Sequence, residues 1–280
     1  MRLGHCSLVA AVALVLAGPA AAQSTLERAK AGEPIQVGYS NEAPYAFQGE
    51  GGKMDGFVNV VGEAVLERMG IENVEGVLTE WGSLIPGLQA DRFDIITAGM
   101  FVLPERCEQV AFSEPMGVFS EAFLVEQGNP KDIHSFEDVA NDPDAVLVTG
   151  AGYSTVAWAK DLGIPDERIM QVADPAAMLQ AVKAGRADVA SATVFAIQDL
   201  VEKGGGDVER AEPFEAPEFT KGYSAYAFRE QDQDFVDAFN AELKEFIGTD
   251  EFMALVEPFG YTKSEVPDES VTTAQLCEAS

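Results

Sequence analysis

Leu88-Gln89-Ala90-Asp91-Arg92-Phe93-Asp94-Ile95 decides how this chain is read, because its pattern returns at Val182-Lys183-Ala184-Gly185-Arg186-Ala187-Asp188-Val189. Each copy reads as a helix end, a tight turn and the start of a strand. One copy would be weak evidence. Two copies, each inside its own strand–helix series, imply two similar lobes. Around the first copy, apolar spacing predicts strands at 34–39, 74–78 and 93–97 and helices at 57–69 and 83–90. Around the second, it predicts strands at 145–149, 168–172 and 187–191 and helices at 155–162, 175–184 and 194–203. A strand at 222–228 and helices at 234–246 and 251–256 finish the chain. The fold class is α/β, each lobe a sheet flanked by helices. The simplest topology builds lobe one from residues 23–125 and 223–280 and lobe two from 126–222. Two strands, near Val125 and Tyr223, would join them as hinges. A cleft between lobes is a preferred place for a small ligand, and two connections permit closure.

The first residues set the compartment. Arg2 precedes an apolar run from Leu8 to Leu16, and Ala20-Ala21-Ala22 stands before Gln23. A basic start, a short apolar core and small residues at a cut site make a cleavable signal peptide over residues 1–22. The run is too short for a permanent membrane helix. A periplasmic location follows, and the remaining length of about 258 residues suits one large domain or two small ones. Beyond the signal, the cysteines are Cys107 and Cys277. An even count in an exported protein points to a disulfide, with two buried free thiols as the alternative. Acidic residues number 47 against 18 basic, for a net charge of −29. That balance speaks against nucleic acid and anionic lipid as partners and for a well-solvated surface. A monomer is expected.

Three groups of residues carry the chemistry: Glu42 with Tyr45, Trp81, and the run Gly99-Met100-Phe101-Val102-Leu103-Pro104-Glu105-Arg106. An arginine grips a carboxylate by two parallel hydrogen bonds. Aromatic faces hold a diffuse cation, and a carboxylate accepts that cation's N–H groups. Arg106 could instead pair at the surface with Glu105 or Glu108, Glu42 could be a loop acid, and Trp81 a core residue. Tyr45 and Phe47 alternate in a loop, with Tyr45 expected to face the cleft. Gly150-Ala151-Gly152-Tyr153-Ser154 lacks the third glycine of a dinucleotide fingerprint. It is either a plain capped helix start or a helix N-terminus offering N–H groups and Ser154 to a carboxylate. Metal spacings such as His-Glu-x-x-His are absent, and no cofactor is called for.

Asp94-Ile95-Ile96-Thr97-Ala98-Gly99-Met100, Pro104-Glu105-Arg106, Phe112-Ser113-Glu114-Pro115 and the second copy of the repeat together resemble the solute-binding proteins of ABC importers, of the polar amino-acid type. The resemblance spans nearly all of the chain after residue 22. It implies a two-lobed periplasmic binding protein fold of type II, a membrane permease as partner, and Arg106 on a ligand carboxylate. Binders of amino acids in that family carry an aspartate beyond the second-lobe turn for the α-ammonium. Here the neighbourhood is Ser191-Ala192-Thr193-Val194, with no acid. A compact ammonium needs such a group to replace its water.

Asn41-Glu42-Ala43-Pro44-Tyr45, Glu80-Trp81-Gly82, Gly99 to Cys107 and the tail Thr272-Thr273-Ala274-Gln275-Leu276-Cys277 are similar to ectoine/hydroxyectoine-binding proteins of the same family. That similarity implies Glu42 on the ring N–H groups, Arg106 on the carboxylate, and Tyr45, Trp81 and Phe101 as walls. Ser154 and Thr193 are the candidate contacts from lobe two. The expected function is delivery of a small zwitterionic compatible solute to an importer. Binding of a polar amino acid or a betaine is the alternative. A dehydratase-type enzyme on the same fold would need a general acid or base in the cleft, for which Glu42 is the single candidate.

Overall fold

The computed structural model describes residues 23–214 and 216–278; the expected signal peptide lies outside them. Among the described residues thirteen strands alternate with helices: β1 (Ile35–Tyr39), β2 (Phe47–Gln48), β3 (Met54–Asp55), β4 (Val74–Leu78), β5 (Ile95–Phe101), β6 (Ala111–Phe112), β7 (Gly117–Phe119), β8 (Glu121–Glu126), β9 (Leu147–Gly150), β10 (Ile169–Val172), β11 (Val189–Thr193), β12 (Val208–Arg210) and β13 (Gly222–Phe228). They form two main sheets, ordered β4-β1-β5-β13-β6 and β10-β9-β11-β8-β12, with β7 also on β13 and a small β2–β3 pair.

The two sheets share one plan. In the first, β4, β1 and β5 are parallel and β13 runs antiparallel beside β5. In the second, β10, β9 and β11 are parallel and β8 runs antiparallel beside β11. The sequence repeat is the turn into the third strand of each set. Its first copy bends at Asp91 and its second at Gly185, both at positive φ. Its aspartate does the same work twice. Asp94 Oδ2 accepts from Gln36 N at 3.0 Å, and Asp188 Oδ2 accepts from Val146 N at 2.8 Å. Each carboxylate thereby fastens the start of the third strand to that of the first, satisfying a backbone N–H that the ladder leaves over.

The central strand β5 is buried at every residue, as expected of a strand covered on both faces, whereas the edge strand β4 is largely exposed. One face of the first sheet packs helices Phe57–Arg68, Gln233–Phe246 and Asp250–Val256 around an aromatic cluster that includes Tyr45, Phe57, Phe119 and Tyr261. Phe195, from helix Val194–Gly204 of the second half, enters this cluster, its ring centroid 5.6 Å from that of Phe119.

Two expectations are corrected. The apolar pattern predicts the first crossing at Val125, but all of β8 pairs within the second sheet, so the chain crosses at Ser120. The predicted strand 93–97 runs instead from Ile95 to Phe101. It passes Gly99 at φ +70°, where a Cβ would come within 2.7 Å of the Tyr45 ring. The return crossing leads from β12 into β13, which lies wholly in the first sheet.

Cys107 and Cys277 are disulfide-bonded across 170 residues, with Cα atoms 5.7 Å apart. The bridge fixes the tail helix Thr273–Glu278 against the short helix Pro104–Cys107, where Cys107 follows Arg106. Thr273 N also donates to Glu114 Oε2 at 2.9 Å. Closing so long a loop is worth at most about 5 kcal/mol in the chain-entropy picture. Protein lacking residues 1–22 is therefore expected to show no titratable thiol under denaturing conditions, and Cys107→Ser with Cys277→Ser to melt lower. Two reactive thiols in the wild-type chain would contradict the bridge.

Candidate ligand site

A narrow cavity, open to solvent at its mouth, lies between the two sheets. Its lining contains Glu42, Tyr45, Trp81, Phe101, Arg106, Ser154 and Thr193, and also Ala98, Gly99, Glu121 and Tyr153. All seven residues expected from the sequence to meet a ligand are thus brought to one place. They come from strand ends and the loops after them, where a rigid sheet fixes mobile-loop chemistry.

Arg106 sits one turn after β5. Pro104 opens the short helix that carries it, its fixed φ suiting the first helical position. The side chain is 7% exposed. Nη1 donates to Phe101 O at 3.0 Å and Nη2 to Gly152 O at 3.2 Å. Among the described residues no carboxylate lies within ion-pair reach of it, which removes the surface-pair alternative. Burial lowers its pKa to about 10, with Glu105 pulling the other way, so it stays a cation at neutral pH. Its Cζ stands 5.8 Å from the centroid of the Trp81 ring, within cation–π range.

Trp81 is half-buried at the mouth, not sealed in the interior. Its Nε1 donates to Gly152 O at 3.2 Å, and its ring meets Tyr153 edge-on at 5.1 Å between centroids. Gly152 O therefore takes a donor from Trp81 and one from Arg106, both across the gap between the sheets. The two backbones come close there: a Cβ on Gly152 would lie 3.4 Å from Gly82 Cα. Phe101 is 5% exposed; its ring lies over β13 at Gly222, where any Cβ would collide with it.

Tyr45 forms the floor rather than a free wall. Only 2% exposed, it packs at 4.7 Å on Phe57 and 5.0 Å on Phe119. Its hydroxyl is buried without a hydrogen-bond partner; burial pushes its pKa well above the ordinary value, and nearby Thr193 opposes the rise. Thr193 caps helix Val194–Gly204, its Oγ1 accepting from Ala196 N at 3.4 Å. Ser154 is the first residue of helix Ser154–Asp161, whose N-cap is Tyr153.

Glu42 is 5% exposed and accepts a hydrogen bond from the Tyr153 hydroxyl across the gap. Burial raises its pKa to about 7, the Tyr153 bond opposing the rise. Tyr153 itself was visible in the sequence only as part of a glycine-rich helix start. Nothing local signals that its hydroxyl meets Glu42, because the partner lies 111 residues away.

Glu121 is the second residue that sequence reasoning missed. The stretch Ser191–Val194 holds no acid, but the adjacent strand supplies one: Thr193 pairs with Glu121 in the β11–β8 register. Glu121 is 4% exposed. Its Oε2 accepts from Ser191 Oγ at 2.8 Å and Thr155 Oγ1 at 3.2 Å. Burial raises its pKa to about 7; the two hydroxyls lower it and Glu42 raises it further. The signal was present, since Glu121 is the one acid ahead of the apolar run Ala122-Phe123-Leu124-Val125.

Among the described residues no cluster of His, Cys, Asp and Glu could hold a metal ion, and no helix is long and apolar enough to cross a membrane.

Comparison with known proteins fits this geometry. The model of the bacterial extracellular solute-binding proteins, family 3, matches residues 35–261. A protein of Sinorhizobium fredii named "Probable amino-acid ABC transporter periplasmic-binding protein y4tE" is 40% identical over 97% of this chain and 92% of its own. An octopine-binding periplasmic protein of Rhizobium meliloti is 36% identical over 42% of this chain and 38% of its own. The crystal structure of EhuB in complex with hydroxyectoine superposes with a TM-score of 0.84 at 36% identity, covering 91% of this chain and 98% of that one. The fold is the two-lobed periplasmic binding protein fold of type II. The Sinorhizobium relative is named as an ABC transporter binding protein and the octopine relative as a periplasmic binding protein, and neither as an enzyme. The chain belongs to the bacterial extracellular solute-binding proteins of family 3, the ligand-collecting components of ABC importers.

Proposed function

We propose that the protein binds a small zwitterionic compatible solute, ectoine or hydroxyectoine, and delivers it to the membrane permease of an ABC importer. The observation that carries this reading is Arg106. It is a buried cation whose hydrogen bonds go to two carbonyls and whose charge has no counter-anion among the described residues. A ligand carboxylate would complete it. Glu42 would accept the N–H groups of the amidinium ring, Trp81 and Phe101 would bound the ring, and Tyr45 would lie beneath it. A diffuse cation costs less to desolvate than an ammonium and gains about 0.5–2 kcal/mol at an aromatic face. EhuB is seen in complex with hydroxyectoine, and the residues quoted above resemble the pattern of ectoine binders, with Tyr45 and Trp81 standing where that pattern has other aromatics. A second reading, a polar amino acid, is favoured by Glu121, which puts an acid where an α-ammonium would need one. The amino-acid names of several relatives agree with it.

Calorimetry with ectoine, hydroxyectoine, L-arginine and glycine betaine is expected to rank the ectoines first. Arginine or glycine betaine binding a hundredfold tighter would contradict the reading. Arg106→Ala is expected to cost roughly 2–5 kcal/mol of affinity with circular dichroism unchanged; undiminished binding would take Arg106 out of the site.

The same acids set the pH response of the empty protein. The folded-state pKa values of Glu42 and Glu121, about 7, lie above the ordinary 4.5. Between those values the folded state keeps protons that the unfolded state has lost. Their contribution to stability is therefore full below about pH 4.5 and is lost as pH rises through about 7. Glu42→Gln removes this penalty. Its ligand-free melting temperature is expected to exceed the wild-type value by a few degrees at pH 8 and by little at pH 4.5. An equal or lower value at pH 8 would contradict the burial of an ionised Glu42.

A further inference from the structure

Glu121 begins β8, immediately after the chain crosses between the sheets at Ser120. Both of its side-chain hydrogen bonds fall on one oxygen, Oε2, from Ser191 and Thr155. Oε1 accepts no hydrogen bond from any described residue, and the side chain lines the cavity. Arg106 lines the same cavity yet lies beyond ion-pair distance of it, so Glu121 is not held there as the structural counterion of the guanidinium. A carboxylate fixed by two hydroxyls at one oxygen and bare at the other is a preorganised acceptor. Oε1 is not sealed in the interior, and the residue lines the cavity, where a donor on a ligand would meet it.

We propose that Glu121 is a second ligand acceptor of the cavity, taking through Oε1 an N–H or O–H donor of the ligand other than the one that meets Glu42. This rests on the reading of the cavity as the solute site and refines the class of solute. The ligand has one carboxylate, for Arg106, and at least two separate donor groups, one for each acid. The ring N–H groups of ectoine meet that demand, as do the ring N–H and hydroxyl of hydroxyectoine or the ammonium and side chain of arginine. Glycine betaine, a carboxylate with no donor, does not. Ser191 and Thr155 are positioning residues: they fix which way Oε1 points and touch no ligand.

The test is calorimetric titration of wild type, Glu121→Gln, Glu121→Ala and Thr155→Val with ectoine, hydroxyectoine, L-arginine and glycine betaine. Thermal melting of each ligand-free protein runs beside it. Glu121→Gln keeps the size of the side chain, and removing a buried charge is expected to leave the ligand-free melting temperature equal or higher. For the tightest donor-bearing ligand, Glu121→Gln is expected to weaken binding roughly ten- to hundredfold. Glu121→Ala should weaken it at least as much, and Thr155→Val less. Glycine betaine should bind the variants no worse than wild type. If Glu121→Gln binds that ligand within twofold of wild type, or if glycine betaine is the preferred ligand of the wild type, the proposal is overturned. The two readings fail separately. Should wild type prefer arginine to the ectoines, the ectoine assignment falls, while a loss of arginine affinity in Glu121→Gln would still support the second acceptor.

Discussion

A guanidinium enclosed by protein, with no carboxylate in ion-pair reach among the described residues, is the constraint on which the rest of the site depends. Carbonyl oxygens satisfy the N–H donors of Arg106 but do not neutralise its charge. Taking such a charge from water costs several kcal/mol unless an anion is near. The chain accepts that cost at one point and surrounds it with structure that holds the side chain still. Phe101 O belongs to β5 of the first sheet, and Gly152 O belongs to the loop after β9 of the second. The same arginine therefore touches both halves, and so does its neighbour Trp81 through Gly152 O. Tyr153 on Glu42 is a third such contact. The groups proposed to read a ligand and the groups that hold the halves together are here the same groups. A solute entering the cavity would be gripped by closure itself, which is how hinge-closing binders couple occupancy to shape.

The positioning rests on apparatus far from the cavity. Asp94 and Asp188 fasten corresponding strands in the two sheets, so each half presents its loops from a fixed edge. The aromatic cluster around Phe57 and Phe119 supports Tyr45 from beneath and receives Phe195 from the other half. The disulfide clamps the turn that carries Arg106 to the tail. None of these groups need contact solute, yet each limits how far a site residue can stray. Tight positioning matters because a bidentate pair loses its advantage when its geometry loosens.

Much of this was legible in the sequence, for physical reasons. The repeat at Leu88–Ile95 and Val182–Val189 reports two equal turns, because both copies need a left-handed residue followed by a strand-clamping aspartate. Local spacing found the helices because apolar faces recur with the helical period. Glu42, Trp81, Phe101 and Arg106 were legible because a loop residue of that chemistry has few structural excuses. Three features were not. Val125 passed for a crossing because an apolar strand end looks the same whichever sheet it joins. Tyr153 meeting Glu42 and Glu121 facing Thr193 are long-range pairings, and a one-dimensional pattern does not say which strand lies beside which. The apparent lack of an acid near Ser191 was a reading along one strand, whereas the cavity is lined by adjacent strands together.

The central claim is that the charge of Arg106 is reserved for a ligand carboxylate. The most direct measurement is a double-mutant cycle between protein and ligand: ectoine and its neutral carboxamide, each titrated against wild type and Arg106→Ala at one pH and salt concentration. The account predicts strong coupling, with the carboxamide losing at least a hundredfold on the wild type and little further on the variant. Independent, additive losses would mean that the guanidinium and the carboxylate do not meet, and would contradict it.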